Sequence, residues 1–225
     1  MAPGQRLAAS CRLSMKLLIA TRNVHKLQEI REILAIPSLE LVGADEIAGL
    51  PDVEEDGATF EANAVKKAIT LALASRLWTL ADDSGLEVHA LGGAPGVRSA
   101  RYAGEPTDTQ ANNRKLLQEL LSKTDRRACF RCAVALASPS GRAQVVEGRC
   151  EGRIIDAPRG AQGFGYDPLF VPDGFEETFA EMDGPTKHSI SHRGVALRRA
   201  RDAWGHILGS SPVDWPKRNT SSTLG

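Results

Sequence analysis

Hydrophobic positions along the chain fall into two alternating rhythms. Residues 16–20 form a short apolar run that reads as a buried strand. Residues 23–35 follow at once, with Leu27, Ile30, Ile33 and Leu34 on one helical stripe. Residues 39–42 suggest a second strand, 59–76 a helix capped by Thr59, and 78–81 a third strand that ends by running into Asp82. Residues 87–102 are punctuated by glycine, and 109–123 are helical. From 128 to 155 the pattern changes to period two, predicting two or three strands with a hairpin around 139–142. A strand over 168–171 and a last helix over 193–208 complete the series. Alternation in the first half and a hairpin in the second predict an α/β fold: a mixed, partly parallel central sheet flanked by helices.

No internal repeat or linker divides residues 15–208, so they read as one domain. Residues 1–14 carry Arg6 and Arg12 and no acid, and read as a basic leader or a disordered extension. Residues 209–225 collect Ser, Pro, Thr and Gly without apolar periodicity and read as a flexible tail.

Composition narrows the function classes. Of 225 residues, 42% are hydrophobic and 25% charged, as in ordinary globular proteins. The 28 basic side chains balance 28 acidic ones, so no global field draws the chain to nucleic acid or to an anionic membrane, and an anionic ligand must be held locally. No apolar run approaches the roughly 18–20 residues that span a bilayer. Four cysteines are too few for a disulfide scaffold and fit reduced thiols in a cytoplasmic protein. Cys129 and Cys132 make a C-x-x-C, but Ala128, Phe130, Cys132, Val134 and Leu136 share one strand face, so the two sulfurs point to opposite faces. With no second Cys or His pair at zinc spacing, they read as small core residues.

Four stretches carry candidate chemistry. Thr21, Arg22, Asn23, Val24, His25 and Lys26 lie where the first strand feeds the first helix, a position whose free N–H groups and dipole attract phosphate. Asn23 and Lys26 fall on the inward side of that helix; the plainer alternative is a capping Asn and a snorkelling Lys. The acidic run from Asp52 to Asp56 precedes a helix on which Lys67 and Asn63 edge the apolar stripe while Lys66 points away. A solvated acidic loop is the alternative there. Asp82, Asp83 and Ser84 end an apolar strand, where sheets of this class place ligands. Their hard oxygens suit Mg²⁺, which bridges carboxylates to substrate phosphates, although an Asx turn would use the same residues. Finally Phe164, Gly165, Tyr166 and Asp167, then Lys187, His192 and Arg193, offer a stacking face, an acceptor and donors suited to a heteroaromatic edge. Taken singly, each is an ordinary core or surface residue. Neither a G-x-x-x-x-G-K-[ST] nor a strand-borne G-x-G-x-x-G occurs, so P-loop and Rossmann mechanisms have no support.

The stretches LLIATRNVHKLQEI, GATFEANAVKKA, LADDSGLEVHALGGAPGVRSARYAG, GFGYDPLF and KHSISHRGVAL occur in that order. Together they resemble the non-canonical purine nucleoside triphosphate pyrophosphatases, the inosine triphosphate pyrophosphatase (Ham-type) family, over residues 15–208. The resemblance implies a homodimeric enzyme with two lobes around a central cleft, which uses Mg²⁺ to hydrolyse ITP, dITP and XTP to the monophosphate and pyrophosphate. It implies that residues 21–26 and Lys67 bind the triphosphate and that Glu55 and Asp83 hold the metal. It further implies that Asp83 activates water, that Ser84 contacts substrate, and that residues 164–167, Lys187, His192 and Arg193 form the base pocket. Arg22 and His25 stand where glycine is common in that family. A Maf-like pyrophosphatase of modified pyrimidine nucleotides shares the general architecture but lacks GFGYD and SHRG. A non-catalytic nucleotide- or RNA-binding module would have no use for paired carboxylates beside Lys67.

Overall fold

The computed structural model describes residues 15–209, so the readings of residues 1–14 and 210–225 lie outside the described residues. Six strands form one sheet in the order β2-β1-β3-β4-β5-β6. β1 (Met15–Ile19) pairs in parallel with β2 (Leu39–Gly43) and with β3 (Trp78–Val88). From β3 onward every pairing is antiparallel, through β4 (Arg127–Ala137), β5 (Ala143–Ile154) and β6 (Phe170–Pro172). The predicted mixed sheet is therefore present, parallel on one side of β3 and antiparallel on the other.

Helices cover both faces. α1 (Val24–Ile33) and α5 (His192–Leu208) pack Ile30, Leu34, Leu197 and Trp204 onto Leu17, Ile19, Leu80 and Val134. α2 (Phe60–Ser75) lies on the opposite face with Phe60, Ala64, Ala68 and Leu71 against Leu18, Ala81 and Ala135, the stripe its sequence spacing requires. α3 (Thr109–Leu120) and the short α4 (Gly184–Ile190) complete the set. A third apolar cluster lies further along the long strands, around Leu86, Phe130, Phe170 and Phe179.

β3 thus begins in one core with Leu80 and ends in another with Leu86, and the aspartates occupy the passage between them. This corrects the expectation that the strand stops at residue 81. Asp82 and Asp83 pair with Val134 and Ala133, and the ladder continues to Val88 opposite Ala128. Asp, Ser and Gly are poor strand formers, but β4 supplies an unbroken partner and local propensity yields to it. The sequence pattern also gave no sign of α4, a seven-residue helix too short to show helical periodicity, although Asp183 caps it and Pro185 sits in its first turn.

No helix among the described residues is long and apolar enough to cross a membrane. Cys129, Cys132 and Cys150 are free and buried, and burial pushes each thiol up to about 12, which makes them unreactive core residues.

Candidate active site

The site grows out of the two faces of β3. Adjacent strand residues point to opposite sides, so Asp83 turns toward α2 and Asp82 toward α1 and α5. Asp83 Oδ2 accepts from Asn63 Nδ2 at 2.9 Å, and its Oδ1 accepts the Ser84 N–H at 2.9 Å. Burial pushes the Asp83 carboxyl above its usual range, with the charge of Glu55 adding to the rise and Lys26 opposing it. On the other face, burial acts against the charge of Asp82. Lys26, Arg193 and Lys67 outweigh it and hold that carboxyl far below the usual range.

Two adjoining chambers share Asn23, Lys26, Glu55 and Ala100 in their walls. The first, about 310 Å³, is lined by Thr21, Arg22 and Lys67 together with residues 50–53. Its cations are Lys26, Lys67 and Arg22: Lys67 is bonded to Glu55, and Arg22 to Asp52 with Asp45 at 3.4 Å. Lys66 instead pairs with Asp56 at the surface. Asn23 caps α1, its Oδ1 accepting from the backbone N–H groups of His25 and Lys26 at 3.0 and 3.2 Å. The helix start is thus already supplied with an acceptor, and the anion-attracting power of this chamber comes chiefly from ammonium and guanidinium groups rather than from free N–H groups.

The second chamber, about 160 Å³, is walled by Asp83, Ser84, Phe164, Gly165, Tyr166 and Asp167, and by Lys187, His192 and Arg193. Gly163 and Gly165 adopt φ of +72° and +63°, and this backbone brings the Phe164 N–H to 2.8 Å from Asp167 Oδ2. Lys187 Nζ donates to the same oxygen at 2.8 Å and to Glu29 Oε1 at 2.7 Å. Arg193 donates through Nη1 to Glu29 Oε2 at 2.5 Å and through Nη2 to Asp82 Oδ2 and Ser84 Oγ, each at 2.9 Å. The Arg193 guanidinium and the Lys187 ammonium lie 5.7 and 5.3 Å from the centre of the Phe164 ring. Tyr166 donates its hydroxyl to the Ser99 carbonyl at 2.9 Å, a bond that anchors the loop.

His192, expected as a donor in the base pocket, stands in the wall of this chamber. Its ring stacks on Phe130 at 4.6 Å, and burial together with Arg193 holds its pKa well below the ordinary value, so it is neutral. A neutral imidazole offers one donor and one acceptor. Two residues of the predicted phosphate segment stand outside the chambers. Val24, 68% exposed, points to solvent because its place on α1 faces away from the sheet. His25 stacks on Phe164 at 5.4 Å and lines a neighbouring cavity behind that ring.

Glu29, outside the predicted site residues, is buried between Lys187 and Arg193 and held at a pKa of about 2. Burial opposes its charge, and the two cations outweigh the burial. The signal was available: Glu29 lies three residues after Lys26, on the same side of α1, and an acid on an inward face requires partners. Arg101 is likewise outside the predicted site residues, and its Nη2 donates to the Glu55 carbonyl at 2.8 Å, tying the acidic loop to the segment after β3.

As for a metal, Glu55 and Asp83 both line the second chamber. Among the described residues no group of three or more His, Cys, Asp or Glu side chains forms a ready cage.

The Ham1 family profile matches residues 17–203, almost the whole described chain. The chain belongs to the Ham1 family. A dITP/XTP pyrophosphatase of Desulforamulus reducens is 51% identical over 190 residues, covering 84% of this chain and 94% of that protein. Solved Ham1 proteins have the same fold. That of Coxiella burnetii superposes with a TM-score of 0.79 at 38% identity, covering 85% of this chain and 99% of the other. That of Staphylococcus aureus gives 0.77 at 40% identity, covering 85% and 98%. Apart from Val24 and His25, the predicted site residues line the two adjoining chambers.

Proposed function

We propose that this Ham1 protein hydrolyses non-canonical purine nucleoside triphosphates, dITP and XTP as its relatives' names specify and ITP with them, to the monophosphate and pyrophosphate. The observation that carries the reading is the meeting of Lys26, Asp83 and Arg193, which are far apart in sequence, in the wall of one chamber. Lys26, Lys67 and Thr21 would grip the polyphosphate in the first chamber, and Arg22 would close its rim. Asp83 would take the proton of a water that attacks the α-phosphorus. The bond from that phosphorus to the bridging oxygen breaks, and pyrophosphate leaves with the electron pair.

At the other end, Phe164 stacks on the purine, and Lys187 and Arg193 present N–H donors to its edge. A 6-oxo group accepts from them, whereas the 6-amino group of adenine would face donors with a donor. The neutral His192 supplies a polar edge beside Phe130 without a further charge.

The donor set fits Mg²⁺. Two carboxylates, Glu55 and Asp83, line the cleft beside the phosphate-gripping lysines, and Mg²⁺ is commonly held by one or two carboxylates, substrate phosphates and water. When bound there, the ion would neutralise charge on the phosphates. The residues that hold it would be Glu55 and Asp83. The protein acts on a soluble nucleotide, and we expect a cytoplasmic homodimer.

The test is release of pyrophosphate from dITP, XTP, ITP, ATP and GTP with and without Mg²⁺. Turnover of the first three that depends on Mg²⁺ and exceeds that of ATP by at least about 10²-fold is expected. Binding of ITP without turnover would favour a non-catalytic module, and preference for a modified pyrimidine would overturn the base assignment.

A further inference from the structure

Asp82 lines neither chamber, yet the two cations it binds line both ends of the cleft. Its Oδ2 lies 3.2 Å from Lys26 Nζ and accepts from Arg193 Nη2 at 2.9 Å and Nε at 3.3 Å. Its side chain is fully buried, and Oδ1 has no hydrogen-bond partner among the described residues. One oxygen therefore carries both contacts. The set extends without a gap: Arg193 binds Glu29, Glu29 binds Lys187, and Lys187 binds Asp167, which holds the Phe164 N–H. Positive and negative groups alternate from the phosphate end of the cleft to the base loop. Among the described residues no second acid is bonded to Lys26, so a change in what Arg193 takes from Asp82 changes what Asp82 leaves for Lys26.

We propose that Asp82 is a positioning residue that couples nucleobase recognition at Arg193 to the phosphate grip of Lys26. The inference rests on the reading of those two cations given above. While the guanidinium holds two N–H groups on Oδ2, the carboxylate is shared and Lys26 remains available to phosphate. When the guanidinium is replaced by a single ammonium, the carboxylate draws Lys26 more strongly and phosphate receives less of it. The two ends of the cleft then report to each other through one oxygen, and an ill-fitting base weakens the hold on a phosphate it never touches.

The experiment uses the full chain and inorganic tripolyphosphate, which has the phosphates and no base, with affinity read by titration calorimetry beside dITP turnover. Arg193→Lys keeps a cation between Asp82 and Glu29 and should weaken tripolyphosphate binding about three- to tenfold, a usual coupling between contacting residues. In an Asp82→Asn background the same substitution should be silent on tripolyphosphate while still impairing dITP. A purely structural role for Asp82 would not make the effect of Arg193→Lys on a base-free ligand depend on the background. Unchanged tripolyphosphate affinity in Arg193→Lys alone, or an equal loss in both backgrounds, overturns the coupling while dITP turnover leaves the proposed function standing. If Asp82→Asn does not fold, the first arm decides by itself. Failure of the unaltered protein to bind tripolyphosphate overturns the phosphate seat, and the coupling with it.

Discussion

Asn63 on α2 donates its side-chain amide to Asp83 Oδ2 at 2.9 Å, across the gap between a helix and the middle of a strand. The bond fixes one oxygen of the carboxylate while the Ser84 N–H takes the other, so the group is oriented before any ligand arrives. Burial makes its charge costly. Asp83→Asn should therefore lower kcat for dITP by about 10²–10⁴-fold, the usual worth of a general base, and leave the melting temperature equal or higher. Kinetics and a thermal scan on the same preparation check both halves; near-native turnover would remove Asp83 from the role of base.

Two neighbouring lysines on α2 should behave oppositely. Lys67 lines the phosphate chamber, and Lys66 pairs with Asp56 at the surface. Lys67→Met should reduce kcat/KM by at least about tenfold, the loss of a charge-assisted contact to phosphate. Lys66→Met should leave it within twofold and shift stability by no more than about 1 kcal/mol, as exposed pairs do. Equal effects of the two would contradict the placement of α2 against the cleft.

Glu29 links acid stability to the base pocket. Its pKa falls from 4.5 to about 2 because Lys187 and Arg193 outweigh the burial that opposes its charge. A value lower in the folded than in the unfolded state stabilises fully above pH about 4.5, and the contribution is lost as pH falls toward 2; the difference corresponds to about 3 kcal/mol. Urea unfolding between pH 6 and 2 should show this loss as one part of the acid sensitivity. Glu29→Gln should be less stable at pH 6 and should lose less on acidification; an identical pH slope in the variant would sink the assignment.

Gly85 marks where the segment after β3 folds back upon the strand. A Cβ there would meet Ser99 Oγ, the Gly96 carbonyl at 2.5 Å and the Phe60 ring at 2.9 Å. Gly85→Ala should cost about 1–3 kcal/mol, the range for overpacking. It should also lower activity, because the displaced segment carries Arg101, which holds the Glu55 carbonyl. Denaturant midpoints and dITP turnover measure the two effects, and an unchanged midpoint would show that the segment yields freely.

Much of this protein is local and therefore written along the chain. The stripe of Phe60, Ala64, Ala68 and Leu71, the capping Thr59, the β4–β5 hairpin and the inward turn of Lys26 and Lys67 follow from periodicities that any short window contains. The roles of the cleft-lining residues come instead from the family resemblance, which takes in Val24 and His25 because they share the segment. Tertiary structure decided the rest. Asp82 and Asp83 sit in mid-strand because β4 continues the ladder beside them; their opposite directions follow from the strand itself, but which partners each meets is decided by packing. Glu29 meets Arg193 across 164 positions of sequence. Nothing near either residue announces the other: the energy of a buried charge depends on what packs against it, and packing joins segments that sequence order keeps apart.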